Sequence, residues 1–216
     1  MEKQKEAVQI QPPNLKTITL HIEGTSPLVI HRFSAKAKQE MADKMQQGSV
    51  AKKGKKREAA NFEDLYNQSR YISNEKWDGF NASCIRAAAI SACRLCGFKM
   101  TLAKLSLFVI PDGYDASEPE FGLIRIFGKP RRLESIARVE TGACYVTVRA
   151  AYDEWKASIK IRFDADQFSA SDVINLLSRV GSQVGIGEGR HDSRNSVGMG
   201  WGSFQLVNEK VIAKAA

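Results

Sequence analysis

The chain has 216 residues, of which 43% are hydrophobic, and 32 Lys and Arg against 24 Asp and Glu leave a formal net charge of +8. That apolar share is enough for the core of one domain, and the charge points to a polyanion, either nucleic acid or acidic lipid. No apolar run reaches the roughly 18 residues of a membrane span, and MEKQKEAVQIQPP lacks the apolar centre of a secretory signal, so a cytoplasmic protein with no membrane attachment is expected.

Residues 1–13 read as a polar N-terminal arm ending in Pro12-Pro13. Ile18, Leu20 and Ile22 then alternate with Thr17, Thr19 and His21, the period-two pattern of a half-covered strand over Leu15–Ile22. Gly24-Thr-Ser-Pro27 leads into Leu28-Val-Ile-His31-Arg32-Phe33, a short apolar segment ending in a basic, aromatic cluster. Ser34–Gln47 consists of helix formers with a thin apolar stripe. The next segment, GSVAKKGKKREAAN, holds Lys52, Lys53, Lys55, Lys56 and Arg57 and has almost nothing to bury. Such a stretch is either a solvated linker or an electrostatic arm that adds phosphate affinity without sequence choice.

A short helix is expected within Asn61–Tyr71, followed by a stronger one over Ala82–Cys96, capped by Asn81 or Ser83. Leu102–Ile110 reads as an apolar strand stopped by Pro111-Asp112-Gly113. The segment from Asp112 to Ala143 looks inserted, with a short strand at Leu123–Phe127 and a basic stretch through Arg131, Arg132 and Arg138. Cys144–Ala150 and Ala157–Phe163 both alternate, and a hairpin joined by Tyr152–Trp155 is their simplest pairing. Ser169 and Asp172 form a capping box, opening a helix whose face is Val173, Leu176, Leu177 and Val180.

The densest signal is VGIGEGRHDSRNSVGMGWGSF, Val184–Phe204. Gly185, Gly187, Gly189, Gly198, Gly200 and Gly202 allow positive φ and close approach of main-chain N–H groups to an anionic partner, while Arg190, His191 and Arg194 place charge at the tip. The segment lacks the lysine of a nucleotide P-loop, and it runs from a helix into a strand, the reverse of a dinucleotide fingerprint. Trp201, with glycine on both sides, is expected beside a ligand because it has few neighbours of its own. Asp192 is expected to brace the loop by accepting from nearby N–H groups. Cys84, Cys93, Cys96 and Cys144 are expected as buried free thiols, since the Cys93/Cys96 pair has no second pair to complete a zinc site.

With the insertions set aside, the order is strand, helix, strand, strand, helix, strand. This is an α+β, ferredoxin-like (RRM-like) βαββαβ plan, with both helices on one face of an antiparallel sheet and the other face free. The single domain would span 14–208, with a basic insertion after strand one at 34–80, a thumb-like insertion between core strands two and three at 112–150, and a tail at 209–216. In element order, in Ser26-Pro-Leu-Val-Ile-His31-Arg32 and above all in the glycine-rich loop before the last strand, the chain resembles the RAMP superfamily. These are the ferredoxin-like RNA-binding proteins of CRISPR effector and processing complexes, and the likeness is closest to the subunits that coat the guide RNA.

That resemblance implies a non-catalytic, antiviral-defence ribonucleoprotein subunit that lines up in copies along a guide-type, single-stranded RNA, beside other effector subunits. No cofactor is expected, and no metal either, since Asp43, Asp64, Asp78 and Asp192 each lack a carboxylate partner at metal-binding spacing. The subunit's RNA-binding residues would be His31, Arg32, Lys52, Lys53, Lys55, Lys56, Arg131, Arg132, Arg138, Arg190, His191, Arg194 and Trp201, with main chain at Gly185, Gly187, Gly189, Gly198 and Gly200. Some processing members cleave RNA with a histidine near the first helix, which makes His31 the catalytic candidate in an endoribonuclease alternative. A single-stranded DNA-binding or annealing protein is the competing class, since basic arms and aromatic rings serve either polymer. A third is an assembly protein whose basic surface meets an acidic partner.

Overall fold

The computed structural model describes residues 10–33, 39, 43, 61–138, 142, 144–193 and 198–208. The fold is mixed α/β, with helices packed on antiparallel sheets. In chain order the elements are β1 (Leu15–Gly24), β2 (Leu28–Ile30), α1 (Phe62–Gln68), β3 (Tyr71–Ile72), β4 (Asp78–Asn81), α2 (Ser83–Ala92), α3 (Met100–Ser106), β5 (Leu107–Ile110), β6 (Gly113–Tyr114), β7 (Gly122–Arg125), β8 (Pro130–Arg138), β9 (Cys144–Tyr152), β10 (Lys156–Asp164), α4 (Ala170–Arg179) and β11 (Phe204–Val207). Among the described residues no helix is long and apolar enough to cross a membrane.

The first sheet runs β11-β1-β10-β5, all antiparallel. Alternation fixes its register: Ile18 faces Ile161, Leu20 faces Ile159 and Ile22 faces Ala157. These side chains join Val173, Leu176 and Leu177 of α4 and Ile85 and Ala89 of α2 in the core. Each large aliphatic or aromatic side chain buried there stabilises the fold by about 1.5–3 kcal/mol. The small residues Ala88, Ala89 and Ala92 let α2 lie close to the sheet. Thr17, Thr19, Lys160 and Arg162 occupy the alternate positions and are exposed. The Ser169–Asp172 capping box forms as the sequence indicates, and Asn61 caps α1. Before α2, Asn81 Oδ1 accepts from the Ser83 N–H at 2.9 Å.

Two expectations of pairing and type are corrected. Only Leu107–Ile110 of the expected strand is extended; Met100–Ser106 is helix, burying Ala103 and Ser106 one turn apart and leaving Leu105 in solvent. A strand would have had to bury alternate residues instead. β9 and β10 do not pair with each other. β9 pairs along its whole length with β8, from Pro130↔Tyr152 to Arg138↔Cys144, and its inner end pairs with β2. β10 lies between β1 and β5. The turn that separates them is held by Trp155, which is 1% exposed and whose Nε1 donates to the Ser26 carbonyl at 2.8 Å. Trp155 thus sends the chain from the second sheet, β2-β9-β8, into the first.

The third sheet, β3-β4-β7-β6, gathers the segments around the predicted Leu123–Phe127 strand. Of the thiols, Cys93 is buried and Cys84 partly so, but Cys96 and Cys144 are exposed, which corrects the expectation of four buried ones. The run of helix formers over 34–47 lies outside the described residues except for Gln39 and Asp43, both helical.

Candidate nucleic-acid interface

After α4 the helix widens by one turn over Val180–Val184, and the Gly185 N–H closes it on the Val180 carbonyl at 2.7 Å. The loop that follows folds back on itself. Ile186 N donates to Gly202 O at 3.0 Å, and Met199 N and Trp201 N both donate to Gly189 O, at 2.7 and 3.2 Å. Its base docks on the β1–β2 connection and on β2 itself: Gly202 N donates to Pro27 O at 2.8 Å and Glu188 N to Val29 O at 2.9 Å. Val184 and Ile186 are buried beneath it.

All six glycines have positive φ. A Cβ would lie 1.8 Å from Ile186 O at Gly202, 2.3 Å from Arg190 O at Gly198 and 2.6 Å from Val29 O at Gly187. The close approach of the chain to itself is therefore enough to require glycine at these positions. Gly200 differs, because its nearest contact would be the His191 ring at 3.4 Å. Trp201 is corrected as well: its indole lies on Gly189, where a Cβ would come within 2.4 Å of Cε3, so the ring has an intrachain seat and is half-buried.

Around this loop the fold assembles a polar cluster that sequence reading found only in part. Arg149 Nε donates to Glu188 Oε2 at 2.6 Å, and His31 Nδ1 lies 3.5 Å from the same oxygen. Burial, then the positive charge of Arg149, hold the His31 imidazole below the usual histidine value, while Glu188 opposes them. The neutral ring is therefore favoured near neutral pH. His31 also stacks on Phe33, with ring centroids 5.8 Å apart. Arg190 Nη1 donates to the Gly187 carbonyl at 3.1 Å, and His191 Nε2 shares a 3.1 Å hydrogen bond with Ser203 Oγ. Glu188 is the lone acid among the first three glycines, and Arg149 is the lone charge in VTVRAAY; those were the available signals.

Asp192 braces the loop by a different route from the one expected. Its carboxylate accepts from the Ser91 hydroxyl and from Arg94 at 2.8 and 2.9 Å, tying the loop to α2 rather than to its own N–H groups. Arg32 is likewise turned inward. Its guanidinium donates to Asp115 at 3.0 Å, lies 3.7 Å from Glu118 and sits over the Tyr71 ring, with 14% of the side chain exposed. That geometry makes Arg32 a tie between the first insertion boundary and the third sheet, and removes it from the solvent-facing cations.

Arg131 and Arg132 lie on β8, away from the loop in sequence and each with carboxylate partners. Arg131 forms a two-pronged pair with Asp153 at 2.5 and 2.9 Å, and Arg132 meets Glu134 at 3.0 Å and Glu63 at 3.4 Å. Arg138 closes the β8 register opposite Cys144. Lys52, Lys53, Lys55, Lys56 and Arg194 lie outside the described residues. Among the described residues, no group of three or more His, Cys, Asp or Glu side chains converges to hold a metal ion. No protein-family model and no curated protein matches this chain.

Proposed function

We propose that this chain is a non-catalytic RNA-binding subunit with a ferredoxin-like core, assembling in copies along a guide-type single-stranded RNA as the coating subunits of the RAMP superfamily do. The fold part of the reading is supported by sheet order: with α2 between β1 and β5 and α4 between β10 and β11, the sequence of core strands across the sheet is fourth, first, third, second.

The observation that carries the function is the docking of the glycine loop on the β1–β2 connection. It brings His31 and Arg149 to Glu188 of the loop, while Arg190, His191 and Trp201 are held within the loop and its closing strand by contacts to Gly187, Ser203 and Gly189. Cations held in place by hydrogen bonds meet a phosphate backbone at lower entropic cost than free side chains do. The run Lys52, Lys53, Lys55, Lys56, Arg57 would add salt-sensitive affinity.

Fluorescence anisotropy with a labelled single-stranded RNA tests this. Arg190→Ala combined with Arg194→Ala should weaken binding by about tenfold at moderate salt, with an unchanged circular dichroism spectrum. Unchanged affinity would remove the loop from the interface. Competition by a DNA oligonucleotide of matched sequence separates this reading from the single-stranded DNA alternative.

One observation favours the endoribonuclease reading as a second choice. His31 is held toward its neutral form, with Glu188 against Nδ1 and Arg149 adjacent, the arrangement of a base, its orienting carboxylate and a cation for phosphate charge. Cleavage of labelled RNA without divalent metal, lost in His31→Ala, would replace the non-catalytic reading with this one.

A further inference from the structure

We propose that the cavity between the end of α2 and the outer face of α4 is a nucleotide site that takes one nucleobase and its phosphate. The cavity has a volume of about 300 Å³ and lies among Cys93, Cys96, Phe98, the turn at Gln167-Phe168, and Asp172, Asn175, Leu176 and Arg179 of α4. This is the lower end of the range for small-molecule pockets, and it suits a ring system rather than an extended chain.

Its floor is apolar and aromatic. Phe98 and Phe168 are 4.5 Å apart between centroids and tilted by 38°, while Leu176 and Cys93 are buried beside them. Phe168 is buried against Phe98, so the partly exposed Phe98 ring is the one that a flat heterocycle would stack on, whatever its identity. The Cys93 thiol is satisfied by the Ala89 carbonyl at 3.3 Å, so the floor presents no polar group in need of a partner.

The rim is polar on one side. The carboxamides of Gln167 and Asn175 make no hydrogen bond to another described residue, and each offers a donor and an acceptor, the pair that a base edge requires. Arg179 donates to Gln183 at 3.3 Å through Nη1, and its other guanidinium N–H groups remain for an anion. Asp172, the one acid lining the cavity, accepts from the N–H and Oγ of Ser169 at 2.9 and 2.7 Å and keeps its negative charge, so the phosphate is assigned to the Arg179 end, about two turns further along α4. An aromatic side chain of a partner protein would fill the floor and leave this rim unused, and a free phosphate would use Arg179 alone. A nucleotide uses both. None of these residues belongs to the glycine-loop cluster, so the site stands or falls apart from the RNA-binding interface.

The test is calorimetric titration of the full chain with AMP, GMP, CMP and UMP. The corresponding nucleosides, inorganic phosphate and N-acetyltryptophanamide are run in parallel, followed by Arg179→Glu and Asn175→Ala, both at exposed positions. At least one monophosphate should bind with 1:1 stoichiometry. Arg179→Glu should weaken it by about tenfold or more while changing the nucleoside by less than about twofold, and Asn175→Ala should alter the ranking of the bases. Repeating the titration with short oligonucleotides bearing a 5′-phosphate or a 5′-hydroxyl separates the two sources. Preference for the phosphorylated oligonucleotide identifies a chain end, and preference for the monophosphate identifies a free nucleotide. No binding of any monophosphate at millimolar concentration overturns the proposal. So does tryptophanamide binding that matches the best nucleotide and is indifferent to Arg179→Glu. In either case the effect of Arg190→Ala with Arg194→Ala on RNA affinity is unaltered, which keeps the two readings separable.

Discussion

The main chain at Gly202 passes so close to Ile186 that a Cβ on residue 202 would stand 1.8 Å from the Ile186 carbonyl oxygen. The same two residues exchange the Ile186 N–H···O=C Gly202 hydrogen bond at 3.0 Å, so the two limbs of the loop are locked together at their base. Gly202→Ala should therefore cost the strain of a left-handed conformation plus a main-chain clash, about 3 kcal/mol together. Gly97, also left-handed but with nothing within 4 Å of its would-be Cβ, provides the control. Gly97→Ala should cost only about 1 kcal/mol. Urea unfolding midpoints of the two variants decide it, and equal losses would mean that the loop yields.

Arg32 and Asp115 form an ion pair in which the carboxylate is 1% exposed and also accepts from the N–H groups of Ser117 and Glu118. Arg32→Ala would strand that carboxylate, at a cost of about 3 kcal/mol or more. The double variant Arg32→Ala with Asp115→Ala should lose less than the two single losses added together. A loss below about 1 kcal/mol for Arg32→Ala, seen by urea unfolding, would return Arg32 to the surface cations.

His31 titrates below its unfolded value, which is about 6.5. As pH falls through that value the unfolded chain takes up the proton first, so stability declines from there down to the folded value and carries no such penalty above it. Proton NMR of the His31 ring should give a midpoint below about 6.5 in the native protein. Arg149→Met should raise that midpoint by removing a repelling charge, and Glu188→Gln should lower it further. A midpoint that moves the opposite way in either variant would contradict the cluster.

Asp192 is held below the usual carboxylate value chiefly by the Ser91 hydroxyl, with Arg94 assisting. Its contribution to stability is present above the unfolded value of about 3.9 and is lost as pH falls through the lower folded value. Because the pair is partly exposed, Asp192→Asn should cost only about 1 kcal/mol at neutral pH. Acidification should bring variant and native protein together. Hydrogen exchange of the loop amides should accelerate in the variant, since the clamp to α2 is gone.

Local patterns in the chain carried through where the physics is local. The alternation of Ile18, Leu20 and Ile22, the face of α4 and the Ser169–Asp172 capping box all depend on residues a few positions apart, and all form as the spacing indicates. The β8–β9 pairing was hidden because Arg131, Arg132 and Glu134 make Pro130–Arg138 look like a charged loop. Its strand identity comes from the partner opposite, with Ser135 and Thr147 hydroxyls joined at 2.7 Å. The swap of Leu102–Ser106 from strand to helix has the same origin, since a short apolar run fits either period until a surface is there to receive it.

By itself, the amino-acid sequence determined the basic charge, the capping and alternation signals, and the need for an unusual backbone between Val184 and Phe204. Only the tertiary structure decided what that backbone is for. Six glycines can clear space for a ligand or for the chain's own carbonyls, and composition is the same in both cases. The choice depends on which groups lie within van der Waals reach, here Ile186, Arg190 and Val29. Likewise a count of arginines cannot say which are bound to Asp115, Glu188 or Asp153 and which face solvent, because those partners lie far apart along the chain and meet only when it folds.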